Sequence, residues 1–128
     1  MSIERLTSSP TGSTPEVDFD PASGVLRLAG ESYPENAFEY FRPLLAWVSA
    51  FVDGSDTPIV AEIGLSYLNT SSIKSVMDLL DLLEAAHRAG RNVTLRWSYA
   101  EDNERALEMI EEFKEEVTLP FFIVPVAG

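Results

Sequence analysis

Ile59-Val60-Ala61-Glu62-Ile63-Gly64-Leu65-Ser66-Tyr67-Leu68 runs straight into Asn69-Thr70-Ser71-Ser72 and then Ile73-Lys74. The first ten residues alternate. Ile59, Ala61, Ile63, Leu65 and Tyr67 point one way, and Val60, Glu62, Gly64, Ser66 and Leu68 the other, which predicts a strand with one buried face. The next four residues are all of helix-capping type. Beyond them Ile73, Val76, Leu80 and Leu83 recur at helical spacing as far as Gly90, a natural helix stop. A strand that passes directly into a helix is the unit from which parallel sheets are built.

The flanking sequence repeats the unit. Upstream, Val17 and Phe19 start a short strand, Pro21-Ala22-Ser23-Gly24 reads as a turn, and residues 25–30 return as a second strand. Asn36 is placed to cap a helix carrying Phe41, Leu44, Leu45, Val48 and Phe51, with Pro43 either kinking it or marking its first turn. Downstream, residues 92–99 alternate as a strand. Asp102 or Asn103 caps a third helix with Ala106, Ile110, Phe113 and Val117 on one face, and residues 121–126 form the last strand. The reading is one α/β domain over residues 15–126, with a mixed, mostly parallel five-stranded sheet. Residues 1–14, rich in Ser, Thr, Pro and Gly, read as a mobile arm, and residues 1–10 as poorly ordered.

Strands covered on both faces would be continuously apolar, whereas residues 59–68 and 92–99 alternate, so three helices are expected on one face only. The other face carries Glu62, Ser66, Thr94, Arg96 and Ser98, and Glu62 and Arg96 could pair there if their strands are neighbours. In the second helix Ile73, Val76, Met77, Leu80 and Leu83 suit the sheet. Leu79, Leu82 and Ala86 continue round it, either under a neighbouring helix or open as a docking flank.

The 128-residue chain is 45% hydrophobic and has a formal net charge of −12. Nucleic acid and anionic membrane surfaces would be repelled by such a chain, and basic protein patches are better suited partners. With no Cys, no apolar run near the roughly 20 residues of a membrane span and no signal-peptide core, the cytoplasm is the expected location. Catalytic equipment is sparse. The single histidine, His87, falls in the apolar arc near the end of the second helix, no glycine-rich phosphate loop or nucleophile elbow occurs, and neither a metal site nor a cofactor is expected. The acids Glu101, Asp102, Glu104, Glu108, Glu111, Glu112, Glu115 and Glu116 read as the solvated face of a helix. Glu115 and Glu116, at the wrong end for the helix dipole, hint at a basic partner.

On capping chemistry alone, Asn69-Thr70-Ser71-Ser72 is an ordinary helix start in which Thr70 or Ser71 accepts free backbone amides. Other elements add to it. Ser32-Tyr33-Pro34-Glu35-Asn36, Tyr67-Leu68-Asn69-Thr70-Ser71-Ser72-Ile73-Lys74, Arg96-Trp97-Ser98-Tyr99 and Asn103-Glu104-Arg105 together resemble the SiaC family of bacterial regulatory phosphoproteins. The resemblance implies a STAS-like fold and phosphorylation of Thr70 by a partner-switching Ser/Thr kinase, reversed by a metal-dependent phosphatase. It implies further that the unphosphorylated form binds and activates a diguanylate cyclase, tying the switch to cyclic di-GMP, aggregation and biofilm formation. Tyr67, Asn69, Ser71, Ser72 and Lys74 would then form the partner surface beside Thr70, with Leu79 and Leu82 contributing if their flank is open. Two other functions compete with this one. An anti-sigma factor antagonist would differ only in its partner, and a carboxylate-dependent hydrolase would need a deep pocket lined by convergent acids.

Overall fold

The structure, a computed structural model, describes residues 3–127. Nine elements follow one another: β1 (Leu6–Ser8), β2 (Glu16–Asp20), β3 (Val25–Ser32), α1 (Ala37–Gly54), β4 (Ile59–Leu68), α2 (Thr70–Arg88), β5 (Val93–Ala100), α3 (Glu104–Glu115) and β6 (Phe121–Val126). The strands lie in the sheet in that same order. β1, β2 and β3 pair antiparallel, and β3 to β6 pair parallel. Each parallel step advances one strand in the same direction. Right-handed crossovers therefore deliver all three helices to one face.

The sheet has six strands rather than five. The additional strand comes from the N-terminal segment, which the sequence marks as an arm because Ser, Thr and Pro dominate it. Pairing to β2 holds Leu6–Ser8 in place. Arg5 makes two 2.8 Å bonds to the Asp18 carboxylate, and the Trp47 indole N–H donates to the Glu4 carbonyl. These contacts are tertiary and leave no periodic trace in a three-residue strand.

The helix-covered face holds the core, with Val17, Phe19, Leu26, Leu28, Ile59, Ala61, Ile63, Leu65, Val93, Leu95 and Trp97 all buried. Trp97 stacks on Phe113 of α3 and donates its indole N–H to the Leu65 carbonyl. On the open face Asp18, Arg27, Glu62 and Arg96 stand side by side across four strands. Glu62 and Arg96 are thus neighbours, as expected, but form no salt bridge; Arg27 reaches Glu16 instead, at 3.6 Å. α1 runs unbroken past Pro43, which is exposed.

The alternation along β4 breaks near its end. Gly30 pairs with Leu65, yet Glu31 pairs with Tyr67, so Ser66 is an extra residue. Such a bulge shifts the side-chain phase by one. Gly30 accommodates it with a φ of 116°, and the Ser66 hydroxyl donates to its carbonyl at 3.3 Å. Tyr67, expected on the core side, is 51% exposed, and Leu68, expected outside, is buried.

Candidate functional site

The bulge delivers Tyr67 to the surface three residues before Thr70. There its ring meets Tyr33 edge-on, with centroids 5.9 Å apart. The two sequence elements that lie 35 residues apart are bonded together at this point through Asn69 and Pro34. Asn69 caps α2, its side-chain oxygen accepting from the Ser72 amide at 2.9 Å. Its side-chain amide donates to the Pro34 carbonyl at 3.1 Å, and its backbone N–H donates to the Ser32 carbonyl at 3.0 Å. Asn69 is therefore the pin of the site.

That cap answers the question left open by the run of four capping residues. Because Asn69 supplies the acceptor, the hydroxyl of Thr70 is left out of the capping bond. Thr70 is the first residue of α2 and is exposed. Ser71 is half-buried. Ser72 is fully buried and shares a 2.9 Å hydrogen bond with the Ser32 hydroxyl, so it belongs to the frame beneath the surface rather than to the surface itself. Lys74, one turn on from Thr70, is exposed.

The flank of α2 that sequence periodicity offers for docking is closed. Leu79 and Ala86 are buried and Leu82 is half-buried against the core, on the side where α1 packs. The opposite side of α2 is the open one. Ile73, assigned to the sheet by its spacing, is 41% exposed. With Thr70, Lys74 and Met77 it forms one wall of a groove of about 490 Å³, and the other wall is formed by Met109, Glu112 and Phe113 of α3 with Glu116 just past its end. Sequence reasoning missed this groove. The available signal was Met109, which stands four residues before the core-facing Phe113 and widens the apolar face of α3.

The chemistry on offer here is recognition. The groove is apolar along its floor, and its two carboxylates, Glu112 and Glu116, sit on and just past the end of α3. Among the described residues no group of three or more His, Asp or Glu side chains could hold a metal ion. His87 is half-buried in the last turn of α2, away from Thr70. Among the described residues no helix is long and apolar enough to cross a membrane.

The pin can be tested directly. Asn69→Ala is expected to cost about 1–3 kcal/mol, from the lost cap and the stranded Pro34 carbonyl. Asn69→Asp keeps the cap acceptor and should recover about half of that. Urea unfolding of the three proteins measures both. Equal stability of Asn69→Ala and wild type would remove Asn69 from this role.

The family described as SiaC family regulatory phosphoprotein matches residues 8–126. A protein of Pseudomonas aeruginosa strain UCBPP-PA14 is 49% identical over 113 residues, which is 88% of this chain and 90% of that protein. The crystal structure of apo-SiaC from Pseudomonas aeruginosa superposes with a TM-score of 0.89 at 45% identity, covering 94% of this chain and 98% of that one. A chain of the crystal structure of diguanylate cyclase SiaD in complex with its activator SiaC, also from Pseudomonas aeruginosa, superposes with a TM-score of 0.91 at 46% identity, covering 94% and 99%.

Proposed function

Because the chain belongs to the SiaC family of regulatory phosphoproteins, we propose that it is a phosphorylation-controlled activator of a diguanylate cyclase. Residues 15–126 act as a single regulatory domain in the cytoplasm and do no chemistry of their own. The unphosphorylated form binds and stimulates the cyclase. A Ser/Thr kinase of the partner-switching type adds a phosphate to Thr70, and a metal-dependent phosphatase removes it. The observation that carries this reading is the state of Thr70: exposed, at the first position of α2, and relieved of capping by Asn69.

The geometry supports a switch that works on the surface and spares the fold. A phosphate adds roughly −1.5 to −2 charge. At Thr70 it lies at the positive end of α2, beside backbone amides that have no intrahelical acceptor, and one turn from Lys74. The folded state accommodates it there. An effector covering Thr70 would have to desolvate the dianion, which is costly without a partner for it. About 1.4 kcal/mol of that cost is enough to weaken binding tenfold. The surface comprises Tyr67, Thr70, Ser71 and Lys74, held by Asn69 and Ser72 beneath.

Cyclic di-GMP synthesis by the diguanylate cyclase SiaD of Pseudomonas aeruginosa tests the reading. Unphosphorylated wild type and Thr70→Ala should stimulate it. The phosphoprotein should not, and intact-mass measurement should show a single phosphate that Thr70→Ala abolishes. Stimulation by the phosphoprotein equal to that by wild type would overturn the direction of the switch, and a phosphate that persists in Thr70→Ala would overturn the site.

A further inference from the structure

The four parallel strands β3 to β6 have all three helices on one face, and among the described residues no element covers the other. Parallel sheets are covered on both faces in almost all proteins, so this sheet lacks a layer. We propose that a second copy of this chain supplies it. The two sheets pack face to face about a two-fold axis that runs along the strands, between β4 and β5. The inference stands apart from the proposed function and uses the face remote from Thr70.

Because the occupant is a second copy, its charges are those of the face itself. Arg27, Glu62, Arg96 and Phe122 stand in one register row, on β3, β4, β5 and β6 in turn. Toward the antiparallel end the charges are already matched, Arg5 with Asp18 at 2.8 Å and Arg27 with Glu16 at 3.6 Å. Glu62 and Arg96 are neighbours of opposite sign, yet neither takes part in a salt bridge among the described residues. A two-fold axis along the strands reverses the order of the row and keeps its height. Glu62 then meets the other copy's Arg96, and Arg96 the other copy's Glu62. Each Arg27 comes over the other copy's Phe122 ring, a cation–π arrangement. Packed sheets lie about 10 Å apart, a gap that a glutamate and an arginine reaching toward each other can bridge. An axis moved onto β4 would set Glu62 against itself, and one moved onto β5 would do the same to Arg96. An axis between β3 and β4 would use charges that are already matched and leave Phe122 in water.

The apolar content of the face fits the same arrangement. Phe122 is 54% exposed and Val126, on the same strand, 45%. Ala29, Gly64 and Ser98, one row nearer the C-terminal ends of the strands, are small and leave room beside the long side chains. Four strands about 4.8 Å apart, each giving about six residues at 3.3 Å, present a flat footprint of roughly 400 Å² a copy. That is the low end of specific interfaces, so the pair forms and separates with concentration. The helices remain on the outside of the pair. Because the axis follows the strands, both Thr70 junctions, just beyond the end of β4, stand at the same end of it.

Sedimentation equilibrium of the full chain decides the matter. At about 0.15 M salt, charges more than about 8 Å apart are screened, so the net charge of −12 does not mask a local fit. Between about 10 μM and 1 mM, the range suited to a weak interface, the average mass of wild type should climb from 14.1 kDa toward twice that value. Glu62→Arg and Arg96→Glu should each self-associate at least tenfold more weakly. Mixed in equal amounts, they should recover wild-type association, because the arginine introduced on β4 of one faces the glutamate introduced on β5 of the other. Arg42→Glu, an exposed change on α1 that alters net charge as Arg96→Glu does, should associate like wild type. If a single variant melts early by circular dichroism, the double variant Glu62→Arg with Arg96→Glu serves, since it reverses both pairs and should dimerise as wild type does. A monomer at every concentration overturns the proposal. Single variants that associate like wild type, or a mixture or double variant that does not recover, overturn this face and this axis as the seat of the pair.

Discussion

Gly24→Ala is expected to cost about 3–5 kcal/mol and to leave much of the protein unfolded at 37 °C. Gly24 closes the turn between β2 and β3 with a φ of 77°, a region in which an L side chain crowds the following carbonyl, at a cost of about 1–2 kcal/mol. Space is the larger problem. A Cβ at this position would lie 2.0 Å from the Pro58 carbonyl oxygen and 3.0 Å from the Thr57 methyl. The first of these is backbone, which cannot rotate away. Gly24 also accepts from the Val60 amide at 2.9 Å, the bond that ties the hairpin to the start of β4. Relief of the clash therefore pulls the hairpin turn away from the start of β4. Denaturant unfolding measures the loss, and a cost under about 1 kcal/mol would show that the turn can shift freely.

Glu84→Ala is the second large loss, about 2–4 kcal/mol. Glu84 is a buried acid on α2. It accepts from the Thr118 amide at 2.9 Å, the Thr118 hydroxyl at 2.6 Å, the Leu119 amide at 3.0 Å and the Arg88 guanidinium at 2.9 Å. The connection from α3 to β6 is thereby fastened to α2, immediately after Glu116 in the groove wall. Burial alone would push the carboxyl pKa up. The bonds from Thr118, Arg88 and Leu119 outweigh it and hold the value at about 2, against 4.5 for an unperturbed group. The sign follows from linkage. The depressed pKa contributes stability that is fully present above about 4.5 and is lost as pH falls toward 2. Wild type should therefore lose its advantage over Glu84→Gln across that window. Urea unfolding at pH 7 and pH 3 measures the difference, and a gap that does not narrow with acid would contradict the role given to the charged form.

The residues that carry this second prediction show where sequence reasoning runs out. Glu84 stands in the sequence as one more acid on a helix, and only the approach of Thr118 and Leu119, more than thirty positions away, makes it a clip. Tyr67 was legible as a strand residue but not as a surface one. Its orientation depends on one extra residue in β4 opposite Gly30, and a period-two pattern cannot show a change of phase decided by the partner strand. The active element itself was readable, since four capping residues in a row mark a helix start under any packing. Which of them caps was not, because the choice of Asn69 over Thr70 depends on the Pro34 and Ser32 carbonyls across the junction.

By itself, then, the sequence determined what local chemistry determines. Alternation set β4 and β5 as strands with one dry face, the spacing from Ile73 to Leu83 set α2, and their order required parallel pairing with the helices on one side. It also placed Thr70 at a strand-to-helix junction, where a phosphate can be borne. Tertiary structure decided which surfaces stay open. Helical periodicity reports that α2 is apolar over more than half its girth but not how its two neighbours divide that girth. α1 packs close on the side where Leu79 is buried, whereas α3 stands off and leaves Ile73 exposed and Met77 half-buried beside Thr70. The distance between neighbouring helices depends on side chains from both, and no single segment of the chain contains that information.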